Sequence, residues 1–292
     1  MHANSMCISC LLSKREKGIR DFSDEDKKSR YMQRVLEILC EYGQSESAPW
    51  ISAQLNQLHG EFWGEGEDYA PIKHQYNQLL LGLEGQIDRR IDQAEDPLKE
   101  CIKYVCAGNY IDFGAVSNVN RDTLEELLEK AAGETVSREE YDWFCRDLAG
   151  AKRLVYLMDN CGEIVLDKLF IRRIRERFPK LQITAVVRGE DVLNDATMVD
   201  AEEVGLTELV PCVGNGTAIP GTVLKELSPQ ARQLLEDADL VISKGQGNFE
   251  SLYGEGVNPY FLFLCKCEMY VRRFGLPRYA SVFLREERMQ VK

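Results

Sequence analysis

The stretch RLVYLMDNCGEIVLDKLFIRRIRERF, residues 153–178, decides the fold class. The apolar run from Arg153 to Met158 predicts a buried β-strand. After Gly162 the apolar residues recur at helical spacing, which predicts a helix that ends near Phe178. A buried strand that leads directly into a helix is the first half of a βαβ unit.

The chain beyond residue 150 repeats this alternation of strand and helix. Further strands are predicted at residues 182–187, 208–213 and 240–243, with weaker candidates at 261–265 and 280–284. Helices are predicted between them, including one from about Thr197 and one near Thr222. The pattern predicts an α/β fold with a doubly wound, mostly parallel α/β/α sheet, whose two faces are covered by helices.

The first half of the chain has a different pattern, with helices and no convincing strand. The predicted helices cover residues 24–40, 72–94, 98–107 and 122–132, and a further one begins with a capping box at Ser137. We therefore predict a helical bundle or cap over residues 1–150, packed on an α/β domain over residues 151–292.

Composition and charge restrict the class of partner. The net charge of −12 repels a phosphate backbone, so we expect no nucleic-acid partner. No apolar run reaches the length of a spanning helix, so we expect no membrane partner either. The ten cysteines and the lack of a signal-peptide pattern predict a reduced, cytoplasmic protein. Nothing in the sequence indicates the oligomeric state.

Polar residues stand where the predicted strands end. Asp159 and Asn160 follow the first strand, Asp195 comes shortly after the second, and Lys244 follows the fourth. Asp159 and Asp195 are 36 residues apart, about one βαβ step. Because ligands of open α/β sheets bind beyond the carboxyl ends of the strands, we expect these side chains to converge there.

The residue types at this edge suit a metal and a phosphate. Two carboxylates and an amide oxygen form a hard site for Mg²⁺ or Mn²⁺, with Asp159, Asn160 and Asp195 as ligands. Lys244 would add a point charge for a phosphate. The backbone N–H groups around Gly162 open a helix, and helix N-termini accept anions.

Each of these residues also has a structural interpretation. An Asp or Asn at a single βα turn is usually a helix cap, and Asp200 is predicted to be the capping-box partner of Thr197. Glu163 serves either the helix dipole or the surroundings of the metal. Arg188, at the end of the second strand, either meets substrate or is simply exposed.

Four motifs in the same order along nearly the whole chain resemble the damage-control phosphatases. They are GNYIDFG (108–114), DNCGEIVLD (159–167), LNDATMVDA (193–201) and SKGQGNFE (243–250). The family consists of metal-dependent phosphatases that share a domain with a protein once described as an acidic-residue methyltransferase. The CISC at residues 7–10 resembles the branch with an N-terminal CxxC. Cys161 departs from the family, which usually has Ala there.

The resemblance implies a helical region wrapped on an α/β sheet and hydrolysis of small phosphate monoesters, such as sugar phosphates or damaged phosphometabolites. It implies a divalent metal (Mg²⁺, Mn²⁺, Co²⁺ or Ni²⁺) on the Asp-Asn pair and Asp195. Lys244 matches the lysine that would hold phosphate. Asn109 and Asp112 would reach the cleft from the helical region.

Several alternatives stay open. The attacking group is either a water activated by the metal or Asp159 itself. Competing functions are an S-adenosylmethionine-dependent carboxyl methyltransferase and a non-catalytic metal- or nucleotide-binding module. The first competitor usually needs a glycine-rich loop after the first strand, and this chain has a single glycine there.

The N-terminal cysteines and the lone histidines are less informative. Cys7 and Cys10 allow a zinc half-site, a redox pair, or packing on a helix, and Cys265 and Cys267 are a distant second pair for a four-ligand site. His59 and His74 lie alone in the helical region and are interpreted as surface or packing residues.

Overall fold

The computed structural model describes residues 1–64, 68–109, 129 and 133–289, and the statements that follow concern this part of the chain. Its helices are Ser5–Ile19 (α1), Glu25–Tyr42 (α2), Ala48–Trp63 (α3), Ala70–Asp92 (α4), Pro97–Gly108 (α5), Arg138–Gly150 (α6), Glu163–Arg177 (α7), Met198–Glu203 (α8), Leu206–Leu209 (α9), Pro229–Glu236 (α10), Gln246–Leu252 (α11) and Glu268–Phe274 (α12). Short 3-10 turns lie at Leu224–Glu226 and Glu286–Arg288. None of the described helices is long and apolar enough to cross a membrane.

A six-stranded sheet organises the second half of the described chain. Its strands are Arg153–Leu157 (β1), Gln182–Val187 (β2), Cys212–Gly214 (β3), Leu240–Lys244 (β4), Tyr260–Leu264 (β5) and Ser281–Arg285 (β6). Their order is β3-β2-β1-β4-β5-β6, with β6 antiparallel to β5 and the other pairs parallel. The predicted α/β fold is confirmed. The chain reverses its direction of growth between β1 and β4, which is the switch point where such sheets bind ligands.

Alternate side chains of β1 point to opposite faces of the sheet, as the period of a strand requires. Leu154 and Tyr156 pack with α4, α5, α6 and α7, whereas Val155 and Leu157 pack with residues of α11, α12 and β5. Both faces are therefore buried, which explains why β1 reads as a continuous apolar run.

The helical region contributes to two different cores. Helices α1, α2 and α3 form a core of their own around Tyr31, Val35 and Ile51. Helices α4 to α6 instead share the core of the sheet, where Tyr76 and Phe144 lie in one cluster with Tyr156. Because this cluster is continuous across residue 150, the division into domains at that position stays a prediction.

The predicted strand at 208–213 is wrong in its bounds. Leu206, Leu209 and Val210 have helical spacing, and Leu206 and Val210 are buried because the segment forms α9. The short β3 begins only after Pro211, which has no N–H and so cannot continue the hydrogen bonding of α9. The helix predicted near Thr222 also begins later, since α10 starts at Pro229.

Two predicted helix starts are confirmed. The Ser137 hydroxyl accepts the N–H of Glu140 at the start of α6. Thr197 and Asp200 form the predicted capping box at α8, with the N–H of Thr197 2.8 Å from Asp200 Oδ2. The helix predicted over 122–132 lies outside the described residues, apart from Glu129.

Candidate functional site

The first two strands bring the predicted metal ligands together. Asp159 and Asn160 follow β1, and the segment after β2 pairs with them through an isolated bridge between Asn160 and Asp195. The N–H of Ala196 donates to the carbonyl of Asp159 at 2.8 Å, and Cys161 donates to Asn194 at 2.8 Å. This backbone pairing places the Asp195 side chain beside the Asp-Asn pair, as the strand-end positions predict.

Asp159 lies at the centre of the cluster and is largely buried. Its Oδ2 accepts hydrogen bonds from the amides of Asn109 and Asn160, both at 2.8 Å. Burial, together with the nearby charges of Asp195 and Glu163, raises the pKa of Asp159 to about 8. The site therefore holds more negative charge than its own cations offset.

Arg188 lies between the two aspartates. Its Nε donates to Asp195 Oδ2 at 2.5 Å, and its Nη1 donates to Asn248 Oδ1 at 3.0 Å. Its Nη2 is 3.7 Å from Asp159 Oδ1 and is buried without a hydrogen-bond partner in the described residues. Arg188 is thus a buried member of the site, so the interpretation as an exposed strand-end arginine is wrong.

Glu163 lies behind Asn160 and is fully buried. Its Oε2 accepts from the Asn160 amide at 3.0 Å and from the Asn109 amide at 3.2 Å. These bonds orient the Asn160 side chain, whose Oδ1 accepts from Asn194 at 2.9 Å. Glu163 therefore positions the predicted metal ligand from behind.

Lys244 points into the protein at the end of β4. Its Nζ pairs with Glu163 and lies 2.9 Å from Asp167 Oδ1, and all three side chains are fully buried. Burial lowers the pKa of Lys244, but Asp167 and Glu163 outweigh it and raise that pKa, so the amine stays charged. The contacts favour a positioning role over the direct phosphate contact predicted from the sequence.

The start of α7 does not offer free N–H groups. Gly162 donates its N–H to Asn77 Oδ1 at 2.6 Å, and Glu163 donates to the carbonyl of Cys161 at 2.8 Å. Cys161 itself donates to Asn194. Gly162 instead holds the turn with a φ of 70°, a region that favours glycine.

Asn109 connects the helical region to the site, as the resemblance implies. It follows α5, and its Oδ1 accepts the N–H of Leu264 at the end of β5 at 3.2 Å. The same amide donates to Asp159, so one side chain links α5, β1 and β5. Asp112 lies outside the described residues.

Gly245 fits closely against Asp159. Its φ is 79°, and a Cβ built there would lie 1.9 Å from Asp159 Oδ2. Only glycine leaves the carboxylate in its place, because any side chain would displace it.

The donor set fits a divalent metal. The carboxylates of Asp159 and Asp195 supply the oxygen ligands that hard cations prefer, while the Asn160 amide turns its nitrogen to Asp159 and its oxygen to Asn194. The raised pKa of Asp159 agrees with a cation beside that carboxylate, whose position depends on the missing side chain of Gly245. Asp159 and Asp195 would therefore hold the ion, and Asn160 would join them through its amide oxygen once that oxygen turns away from Asn194.

The whole sequence carries the features of one known family. The damage-control phosphatase ARMT1-like domain is matched over residues 3–282. The chain belongs to this family. Its membership supports the predicted phosphatase activity.

Two curated relatives and one solved structure agree with this membership. A damage-control phosphatase of Archaeoglobus fulgidus is 30% identical over 283 residues, which cover 94% of this chain and 96% of the relative. One of Pyrococcus horikoshii is 26% identical and covers 96% of this chain and 97% of the relative. The crystal structure of a DUF89 family protein from Pyrococcus horikoshii has a TM-score of 0.83 at 25% identity, covering 98% of this chain and 99% of that one.

Several residues of this damage-control phosphatase were missed by sequence reasoning. Asn248 donates to the carbonyls of Met158 at 2.9 Å and Lys244 at 2.8 Å, and so joins the ends of β1 and β4. It belongs to the quoted SKGQGNFE motif, which is the signal that could have found it. Asn77 has no such motif, because it lies alone in α4.

Lys266 is a further missed residue. It follows β5 at the same sheet edge, and its charge acts to lower the pKa of Asp159 against the larger effect of burial. The sequence analysis considered its neighbours Cys265 and Cys267 as zinc ligands and assigned no role to Lys266.

The cysteines show no zinc site in the described part of this family member. Cys7 is half-buried on α1 and Cys10 is exposed, and all ten cysteines are free thiols. Among the described residues, no group of three or more His, Cys, Asp or Glu side chains is arranged to hold a metal. The assignment to the branch with an N-terminal CxxC stays a prediction.

Proposed function

We propose that this protein is a divalent-metal-dependent phosphatase that hydrolyses small phosphate monoesters, such as sugar phosphates or damaged phosphometabolites. The observation that carries the proposal is the convergence of Asp159, Asn160 and Asp195 at the switch point of the sheet. Mg²⁺, Mn²⁺, Co²⁺ and Ni²⁺ all suit this oxygen-rich donor set. When bound, the ion supplies charge neutralisation at the phosphate and polarises its oxygen atoms.

Arg188 is the residue best placed to bind the phosphate. Its Nη2 is buried, has no hydrogen-bond partner among the described residues, and lies on the side of Asp159. Its other nitrogens are fixed by Asp195 and Asn248, so the guanidinium is held before substrate arrives. A fixed donor at the developing charge stabilises the transition state without reorganisation.

Lys266 adds a second positive charge at this edge. It lies beyond the end of β5 and acts electrostatically on Asp159. A point charge here offsets the acids of the site when a phosphate dianion enters.

Water is the expected nucleophile. Asp159 Oδ2 already accepts two amide hydrogen bonds, which hold the carboxylate and reduce its power to attack phosphorus. A single-turnover reaction quenched in acid and followed by mass spectrometry tests this choice. A phosphoryl group covalently trapped on Asp159 would show that the aspartate attacks.

The experiment that tests the function is a screen of phosphate monoesters crossed with the four metals. We expect metal-dependent release of inorganic phosphate, and a fall in kcat of about 10³-fold in Asp159→Ala, since a ligand and a transition-state interaction are lost together. Asp237→Ala, an exposed acid after α10, is the matched control and should keep full activity.

Two results would contradict the proposal. One is full activity in Asp159→Ala. The other is tight binding of S-adenosylmethionine by a protein that releases no phosphate, which would favour the methyltransferase alternative.

A further inference from the structure

A large cleft lies between the N-terminal helices and the segment that follows β2. Its volume is about 930 Å³, within the range of small-molecule sites. One wall is made by α1 and α3, and the opposite wall includes Val192 and Leu193. None of the residues assigned above to the metal or the phosphate lines it.

Arg15 is the unusual residue of this cleft. Only 9% of it is exposed, and its Nε is buried without a hydrogen-bond partner among the described residues. Its Nη2 donates to Asn56 Oδ1 at 2.7 Å and to the carbonyl of Ser52 at 3.2 Å. These acceptors are neutral, so within the part of the chain that the structure describes the guanidinium charge is buried without the counter-charge that such burial usually requires.

The other described residues around Arg15 form no ion pair with it either. Burial raises the pKa of the neighbouring Tyr31 hydroxyl, so it is neutral. Asp191 also lines the cleft, but Lys73 holds it at 2.9 Å. Asp68, the other lining acid, accepts the N–H of Ala70 at 2.9 Å, and neither of these two acids contacts Arg15.

Further donors lie on the same side of the cleft. Lys14 is exposed one residue before Arg15, and His59 faces the cleft from α3. Burial and the nearby Arg15 charge lower the pKa of His59, so near neutral pH its ring is a neutral donor and acceptor. A guanidinium with an ammonium and amides nearby is a combination that recognises carboxylate or phosphate groups.

The opposite wall belongs to the loop that carries Asp195. Leu193 has a φ of 50°, which a leucine rarely adopts, and two residues later stands the predicted metal ligand. Asn194 between them donates to Asn160. A molecule in the cleft would therefore touch the loop that positions the metal site.

We propose that this cleft binds a small organic anion, whose phosphate or carboxylate group pairs with Arg15. The anion is either a second charged group of the substrate itself or a separate metabolite. The first source rests on the proposed phosphatase function, whereas the second does not.

The test uses a variant, Asn56→Asp, that places a negative charge beside Arg15. In Asn56→Asp the new carboxylate takes the place of an amide oxygen that already accepts from Arg15, so the fold is kept and the anion is displaced. Inorganic phosphate is titrated calorimetrically into the full chain with metal chelated by EDTA. We expect its affinity to fall about tenfold or more in Asn56→Asp and in Arg15→Gln, the value of a lost charge-assisted hydrogen bond.

The matched control is Arg34→Gln, an exposed arginine on α2 that is paired with Glu37 outside the cleft. It should bind phosphate as the wild type does. Wild-type affinity in Asn56→Asp would overturn the proposal, even if Arg15→Gln had lost binding through damage to the α1–α3 contact.

Kinetics then distinguish the two sources. If the anion is part of the substrate, Asn56→Asp raises KM for a sugar bisphosphate about tenfold and leaves the hydrolysis of p-nitrophenyl phosphate unchanged. If it is a separate metabolite, both KM values stay as in the wild type while phosphate binding is still lost. A wild-type protein that binds phosphate here but hydrolyses nothing would contradict the proposed function and not this site.

Discussion

This protein contains two pairs of buried acids that each share one cation. The pairs differ in how closely the cation contacts both acids. Glu163 and Asp167 share Lys244, whose amine contacts both. Asp159 and Asp195 share Arg188, which lies 2.5 Å from Asp195 but 3.7 Å from Asp159. The deficit of positive charge therefore falls on Asp159.

The pKa values follow this difference. Burial raises the pKa of both carboxyls, but the contact with Lys244 limits that of Asp167 to about 6, whereas that of Asp159 reaches about 8. The comparison separates acids whose charge is matched within the protein from the two acids that we propose as metal ligands. Burial alone does not mark a functional carboxylate, but burial with an incomplete counter-charge at a sheet edge does.

The largest effect should come from removing the lysine of the well-matched pair. Lys244→Met leaves two buried acids without a cation, and we expect a loss of about 3–5 kcal/mol in the free energy of unfolding. Urea denaturation of the metal-free protein measures it. The double variant Lys244→Met/Asp167→Asn should recover part of the loss, since it removes one of the stranded charges. Equal stability of the two variants would mean that the ion pairs are not what Lys244 supplies.

A smaller effect should come from filling the space beside Asp159. Gly245→Ala introduces both an unfavourable φ and a methyl group at the carboxylate, and we expect kcat/KM to fall about 10²-fold, as for other misplacements in a site. Gly254→Ala is the matched control, because Gly254 has a similar φ of 85° with nothing within 4 Å of its Cβ. Both variants should lose about 1–3 kcal/mol of stability, because the backbone at each glycine has a positive φ that other residues rarely adopt. Equal kcat/KM in the two variants would mean that the position of the Asp159 carboxylate does not matter for catalysis.

The smallest effect concerns protons released on metal binding. Because the pKa of Asp159 is raised to about 8, its carboxyl holds a proton at pH 7 in the metal-free protein, and a cation must displace it. We expect Mn²⁺ affinity to rise about tenfold per pH unit below pH 8 and to level off above it. Titration calorimetry in buffers of different ionisation enthalpy measures the proton count, about one at pH 7. If no proton were released on Mn²⁺ binding at pH 7, the conclusion that Asp159 lacks a sufficient counter-charge would be wrong.

The convergence of Asp159, Asn160 and Asp195 was accessible from the sequence, because parallel strands end at one edge and a βαβ step fixes the spacing. The role of Lys244 was not. It was predicted to follow the fourth strand and contact a phosphate, but Lys244 is the last residue of β4 and its side chain lies on the face covered by α7. The sequence predicts which residues lie at the end of a strand more easily than it predicts the face of the sheet to which their side chains point.

Asn77 and Arg15 were inaccessible for a different reason. Each lies alone in its helix, and its significance depends on how that helix packs, Asn77 against the turn after β1 and Arg15 against α3. Asn77 accepts the N–H of Gly162, 85 residues away, a contact that no local pattern encodes. The site is predictable where it is built from strand ends and unpredictable where helices complete it.

The close contact between the loops after β2 and β3 has a consequence for how this protein can change. A Cβ on Gly189 would lie 2.3 Å from the backbone of Gly216, and Asn215 accepts the N–H of Gly189 at 2.8 Å. Insertions in either loop would force these backbones apart and move Asp195 with them. Variation in the anion that the proposed cleft binds should therefore arise on its helical wall, where Lys14 and Asn56 can be exchanged without disturbing the sheet.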